Sequence, residues 1–339
     1  MNKTSIEWTT FSANPLKYRD AAGRVVWGCV HASPGCVNCY SEALARRYDR
    51  GGPFNQPTMN GLTPFLDEDE LRHMLTAKTI KGTRVSGSMC FVGDMTDIFG
   101  EWVPNALLDR LFAVFALRSD VTWQILTKRP DRMRAYMNLL PNRGCNYFVS
   151  IKGYGSTSVL WGHMDLQPWP LPNVWLGTSV EDQKRADERT PHLLQTPAAV
   201  RFISAEPLLS GIDIAKHKPG ALGLRWCIVG GESGHGARPC DVGWIRNLVG
   251  QCRDVDIAPF VKQLGAVVSW NGIQGGYGDG PSNVWPRETG SWEDPKMPGG
   301  FRKHLVDRKG GHPSEWPEDL RVREFPQVHR HAVGEMERA

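Results

Sequence analysis

Met89-Cys90-Phe91-Val92-Gly93-Asp94 is an apolar run that ends on a glycine and a carboxylate, the pattern of a buried strand. After it, Pro104 and the periodic Leu107, Leu108, Leu111, Phe112 and Phe115 predict a helix. Thr122-Trp123-Gln124-Ile125-Leu126-Thr127 repeats the strand pattern, and Pro130 opens a second helix with Met133, Tyr136 and Met137 on one side. Strands that alternate with helices in this way call for right-handed crossovers and a mainly parallel sheet.

The alternation extends in both directions. Upstream, Arg24-Val25-Val26-Trp27-Gly28 reads as a first strand and Tyr40 to Tyr48 as a helix. Downstream, Val174 to Val180 precedes a charged stretch at Glu181 to Arg189, Val200 to Glu206 and Trp226 to Glu232 read as two more strands, and a helix near Val242 to Arg253 leads to Pro259 to Gln263. Six or seven such units predict an α/β fold: a parallel (β/α) barrel, partial with six strands or closed, over residues 1–265. Residues 152–172 read as a loop insertion. Residues 266–339, crowded with Gly, Pro and Trp (Trp270, Trp285, Trp292, Trp316), read as an irregular elaboration packed on the barrel. In such barrels the chemistry gathers at the C-terminal strand ends. The polar residues there are Asp94, Asp97, Thr127, Lys128, Arg129, Thr178, Ser179, Ser204, Glu206, Glu232 and Ser233.

Composition narrows the class. The 339 residues are enough to bury a large core, and 40% hydrophobic with 22% charged residues describe a folded, water-soluble chain. A net charge of +4 permits contact with nucleic acid without arguing for it. No membrane span is expected, since no stretch approaches the length of apolar chain a bilayer needs. The first residues lack the apolar centre of a secretory leader, and eight cysteines without one point to a reducing cytoplasm.

Cys29, Cys36 and Cys39 carry the chemistry. They lie in Gly28-Cys29-Val30-His31-Ala32-Ser33-Pro34-Gly35-Cys36-Val37-Asn38-Cys39-Tyr40, a Gly/Pro-containing loop between an apolar run and a helix. Thiolates this close can converge on one metal centre. Four ligands make a structural zinc site, whereas three leave a position open for chemistry. The zinc alternative needs His31 or a distant cysteine, of which Cys240 is the one candidate. Cys90 and Cys227 sit in apolar strands and should pack as small hydrophobes, and Cys145 and Cys252 have no partner at ligand spacing. Lys128-Arg129 could bind a carboxylate or phosphate, or simply be a solvated helix start. The tryptophan-rich tail could stack bases or merely pack.

The set of motifs resembles one family. Trp8 to Asn14-Pro15, the cysteine loop, Phe91 to Met95, Leu126 to Pro130, Trp175 to Glu181, Ser204 to Leu208 and Val229 to Gly234 are similar to the phage and prophage three-cysteine-motif proteins of unknown function. That family is itself similar to radical S-adenosylmethionine enzymes. The resemblance implies a [4Fe-4S] cluster on Cys29, Cys36 and Cys39 and S-adenosylmethionine as second cofactor. From these the enzyme would generate a 5′-deoxyadenosyl radical for nucleotide or DNA-base modification or repair. It also implies an electron-donor protein and a second protein that partners the motif. The residues expected to bind the cofactor are Asn38 and Tyr40 beside the third cysteine, then Asp94, Asp97, Thr127, Lys128, Ser179, Glu206 and Glu232. Gly230-Gly231-Glu232 is similar to a Gly-Gly-Glu element that holds the cofactor's amino group, but it follows a late strand, so Glu232 is assigned only to face the site. The rival class is a non-catalytic, zinc-stabilised nucleic-acid-binding protein.

Overall fold

The computed structural model describes residues 1–143, 146–151, 155–160, 168–217, 223–270, 291–293, 301–303 and 305–327. Its centre is an eight-stranded sheet. The strands are β1 (Asn2–Lys3), β2 (Phe11–Ala13), β3 (Met89–Val92), β4 (Thr122–Thr127), β5 (Val174–Ser179), β6 (Val200–Ala205), β7 (Leu224–Gly230) and β8 (Ala258–Gln263). They lie side by side in chain order, β1 antiparallel to β2 and every later neighbour parallel. A strand order that never reverses winds all crossovers the same way. It therefore leaves one face for helices and the other for a lumen, unlike a doubly wound sheet.

The helices are α1 (Tyr40–Arg47), α2 (Glu68–Thr76), α3 (Asn105–Leu117), α4 (Pro130–Leu139), α5 (Gln183–Leu194) and α6 (Val242–Asp254). Three of the starts have a plain local cause. Pro130 occupies the first turn of α4, where its missing N–H costs nothing. Asp182 and Asp241 cap α5 and α6 by accepting from the Arg185 and Gly243 amides.

Alternation along the strands sorts the core into two clusters. Cys90, Val92, Trp123, Ile125, Leu176, Ile203, Cys227 and Val229 pack under the helices. Phe91, Trp175, Phe202, Trp226, Ile228 and Phe260 face the other way and surround Trp8. The Trp8 ring lies 4.7 Å from Phe91 on β3 and 6.0 Å from Trp226 on β7. In a flat sheet those strands would stand roughly 19 Å apart. One indole touches both because the sheet curls around it.

Several expectations change. The class is α/β as expected, but the sheet has eight strands where a partial barrel of six was one alternative. The run at Arg24–Gly28 is not its first strand: Val25–Val26 pairs with Leu16–Arg19, which pairs on its other side with Thr63–Leu66 in a small separate sheet, and Phe11–Ala13 takes the place beside β3. Residues 155–160, expected in a loop insertion, form a hairpin with 146–151. Cys145, residues 152–154 and 161–167, and Trp285 lie outside the described residues.

Among the described residues no ladder joins β8 to β1. The free edge of β8 is covered instead by residues 310–324. Leu264 N donates to Gly310 O (2.9 Å), Val261 N to Val322 O (2.8 Å) and Glu324 N to Pro259 O (3.0 Å). Trp316 anchors this strap: it is buried, its Nε1–H donates to Gly310 O at 2.9 Å, and Arg323 stacks on it. That Trp316 packs, as one of the two sequence readings allowed. Trp316→Ala should therefore cost about 3–5 kcal/mol in urea unfolding, the usual loss for a core aromatic. A cost below about 1 kcal/mol would mean the strap is peripheral to the core.

Candidate functional site

The cysteine loop has little regular structure of its own, a single tight turn at Pro34–Cys36 before α1. Side chains from the strand ends hold it at four places. First, the Val30 carbonyl accepts from Arg129 Nη2 at 2.8 Å. Arg129 is buried, paired with Asp97 (3.2 Å) and Glu101 (2.8 Å), and stacked on Trp102. Asp97 also accepts from Thr127 Oγ1 and the Lys128 amide.

Second, Ser33 Oγ donates to Glu181 Oε1 at 2.5 Å. Glu181 is wholly buried at the end of β5 and bonds Lys128 Nζ and Arg189 Nη1, each at 3.0 Å. Burial alone would raise its pKa, but Lys128 and Arg189 overcome that and hold it below the ordinary carboxylate range. Gly35 is the residue that allows the approach, since a Cβ there would stand 2.4 Å from Glu181 Oε1.

Third, Asn38 Nδ2 donates to Glu232 Oε2 (2.9 Å) and to Gly236 O (3.0 Å). Arg238 grips Glu232 with two bonds and reaches Pro34 O at 3.0 Å. Here too burial works against ionisation, and Arg238 and Asn38 keep Glu232 below its usual range. The glycines before it permit close packing: a Cβ on Gly231 would meet the Leu264 carbonyl at 2.2 Å. Fourth, Tyr40 Oη and Ser41 Oγ both donate to the Asp94 carbonyl at 2.7 Å.

Under this loop lies a cavity of about 580 Å³, within the range that takes a small organic ligand. Its lining contains every expected site residue: Cys29, Cys36, Asn38, Cys39, Tyr40, Asp94, Asp97, Thr127, Lys128, Ser179, Glu206 and Glu232. Their states differ, however. Asp97, Thr127, Lys128, Asn38 and Glu232 are engaged in holding the loop. Glu206 pairs with Lys262 (3.1 Å) and accepts from Ser204 Oγ (3.2 Å). The Asp94 carboxyl accepts from Asn14, and burial pushes its pKa up.

Sequence reading passed over Ser33, Arg238 and Lys262, and quoted Glu181 without giving it a role. Lys262 was recoverable, because alternation from Phe260 puts it on the lumen side of β8. Arg238 lies in an irregular loop with no periodic signal.

The three thiols share one cavity, and Cys36 is close enough to both others that their charges would repel. Burial pushes Cys29 up to about 12, with Asp97 adding to it. Cys39 precedes the first residue of α1, whose Ser41 and Glu42 amides favour its thiolate, but burial prevails and its pKa is raised. Among the described residues no three His, Cys, Asp or Glu side chains gather into a ligand set for a single ion. Neither proposed fourth ligand reaches the cavity lining. His31 Nε2 pairs with Glu42 at 2.6 Å, and Cys240 is fully buried elsewhere. Cys90 and Cys227 are buried in strands as expected, and Cys252 lies against Cys227.

Fold and site together define a curled α/β protein with a three-thiol loop clamped over the strand ends. The chain belongs to the family described as "Protein of unknown function (DUF5131)", which it matches over residues 3–322. No curated protein and no solved structure matches it. Among the described residues no helix is long and apolar enough to cross a membrane.

Two outcomes follow from the clamp. Glu181→Gln should lower stability by about 3–5 kcal/mol at neutral pH, because Lys128 and Arg189 lose their buried counter-charge. A depressed carboxylate pKa gives stability that is present above the unfolded value and lost as pH falls through the folded one. The gap between parent and variant should thus be full above about pH 4.3, the ordinary glutamate value, and narrow as pH falls through the depressed folded value; a gap that does not narrow with falling pH would refute the assignment. In metal-free protein at pH 8, Cys29 should alkylate much more slowly than a free thiol, whose pKa is about 8.5. Peptide mass spectrometry after iodoacetamide treatment would measure this, and a free-thiol rate at Cys29 would contradict it.

Proposed function

We propose that this protein is a radical S-adenosylmethionine-type enzyme that acts on a nucleotide or nucleic-acid base in a phage or prophage setting. The observation that carries the reading is the donor set: three clustered thiols facing a ligand-sized cavity, with no fourth His or Cys on its lining. A set too dispersed for one ion suits a cluster, in which each thiolate binds a different iron. The residues therefore fit a [4Fe-4S] cluster held by Cys29, Cys36 and Cys39. When bound, that cluster supplies the electron that cleaves a sulfonium C–S bond of S-adenosylmethionine, yielding methionine and the 5′-deoxyadenosyl radical.

The chain's own residues do the rest. Arg129, Glu181, Glu232 and Arg238 fix the loop, so the thiols keep their spacing when the cluster is absent. A metal cation would reverse the burial that now keeps Cys29 and Cys39 protonated. Asp94 has no Lys or Arg partner among the described residues and is the carboxyl suited to the cofactor's ammonium. Tyr40 and Ser179 supply further polar contacts to the cofactor on the same lining. Curling of the sheet around Trp8 closes the lumen below and shields a radical from water. Electrons come from a donor protein, and a second three-Cys-motif partner protein acts with this one. Seven free thiols among the described residues are in keeping with a reducing cytoplasm.

The zinc-stabilised, nucleic-acid-binding alternative is not favoured, because neither His31 nor Cys240 completes the set. Anaerobic reconstitution tests the reading. The parent, Cys90→Ala and Cys227→Ala proteins should take up iron and sulfide and release 5′-deoxyadenosine under reductant, whereas Cys29→Ala, Cys36→Ala and Cys39→Ala should not. Colourless protein holding zinc, or equal iron in all variants, would sink it.

A further inference from the structure

Below the cysteine loop the cavity has a second polar centre. Glu206 and Lys262 hold each other at 3.1 Å, and Ser204 Oγ donates to Glu206 from the other side. These residues stand at the ends of β6 and β8, the strands on either side of β7, and all three line the cavity. Phe91, Leu126 and Trp8 line it as well and give it flat apolar walls. Trp8 is 2% exposed, yet its Nε1–H has no hydrogen-bond partner. A buried donor left unpaired is destabilising, and a ligand acceptor beside it would relieve that.

The pairing limits what can bind. A carboxylate or phosphate drawn to Lys262 would meet the Glu206 carboxylate, and an amine drawn to Glu206 would meet the Lys262 ammonium. An uncharged edge with an N–H beside a carbonyl or ring nitrogen satisfies both at once, and a flat ring can lie against the apolar wall. The edges of nucleobases have this alternation of donors and acceptors.

We infer that Ser204, Glu206, Lys262 and Trp8 form a nucleobase-binding slot. Glu206 accepts from the base N–H, while Lys262 and the Trp8 indole donate to its acceptors. That this base is the substrate rests on the radical reading above, whereas the slot stands on its own geometry. The base could arrive in a free nucleotide, or turned out of a strand, as enzymes that modify bases present them.

Calorimetric titration of the cluster-loaded protein tests it, with the four nucleosides, their 5′-triphosphates and single-stranded oligonucleotides as separate arms, and glutamine as an amide control. At least one base should bind, and the arm with the highest affinity identifies free nucleotide or strand as its source. Lys262→Met and Glu206→Gln should each weaken that binding about tenfold or more, the loss expected for a charge-assisted hydrogen bond. Lys184→Met, on the exposed face of α5, should not. Thermal melting and iron content of each variant separate loss of binding from loss of fold. Absence of base binding by protein that does release 5′-deoxyadenosine overturns the slot and leaves the radical reading intact. Preference for glutamine over every base also overturns it. Base binding by fully loaded protein that releases no 5′-deoxyadenosine supports the slot and removes the radical reading.

Discussion

The site depends on the contact between Ser33 and Glu181. A loop with a single turn of its own cannot hold three thiols in register, so its position has to come from outside. Glu181 supplies it because both its oxygens are used: Oε1 takes Ser33 and Lys128, and Oε2 takes Arg189. Taking one carboxylate and two cations out of water costs several kcal/mol per ion, and only complete pairing makes that tolerable. The result ties the loop, the end of β4, the end of β5 and helix α5 into one unit. Gly35 is the packing condition for this arrangement, since any side chain there would displace the carboxylate.

That clamp in turn needs strand ends that converge, and convergence comes from the lumen. Trp8 fills the space between β3 and β7, while Phe325 stacks on Trp226 and Phe260 from the strap side. The aromatic plug sets how tightly the sheet can curl, because interiors are packed too densely to close further. The strap over β8 satisfies an edge whose amides would otherwise be open to another strand. Curl, plug and strap thus place Asp94, Lys128, Glu206 and Glu232 around one opening, although long stretches of chain separate them.

Much of this was legible in the sequence. The parallel strands from Met89 onward were readable because strands covered by helices on one face and a packed lumen on the other are apolar along most of their length. β1 and β2 were not, being two and three residues long, too short for any period to register. The strap was illegible for another reason: it pairs through backbone amides along one edge, and its only side-chain marker, Trp316, is one tryptophan among thirteen. The site residues could be read because the strand-end rule is a matter of position. Their occupations could not, since whether a carboxylate faces a ligand or a neighbouring arginine is decided by loops such as the one carrying Arg238.

Those occupations change how the cavity should be understood. Lys128 is spent on Glu181, Arg129 on Asp97 and Glu101, Arg238 on Glu232, and Lys262 on Glu206. The charged lining that the sequence presents as a ligand-binding set is therefore largely a self-neutralised scaffold. Asp94 is the exception. Its carboxyl has Asn14 for company and no cation, so burial raises its pKa, and the penalty is removed when a positive group arrives beside it. Glu7 and Lys309 line the cavity too but stand exposed to water, so its unbalanced buried group is an acid, suited to a positive charge beside it. On the proposed reading, S-adenosylmethionine meets that requirement: its sulfonium and ammonium outweigh its carboxylate by one charge. On that same reading the cofactor takes the Asp94 side of the mouth, and the paired, uncharged-edge chemistry of Glu206 and Lys262 is left for a neutral ring.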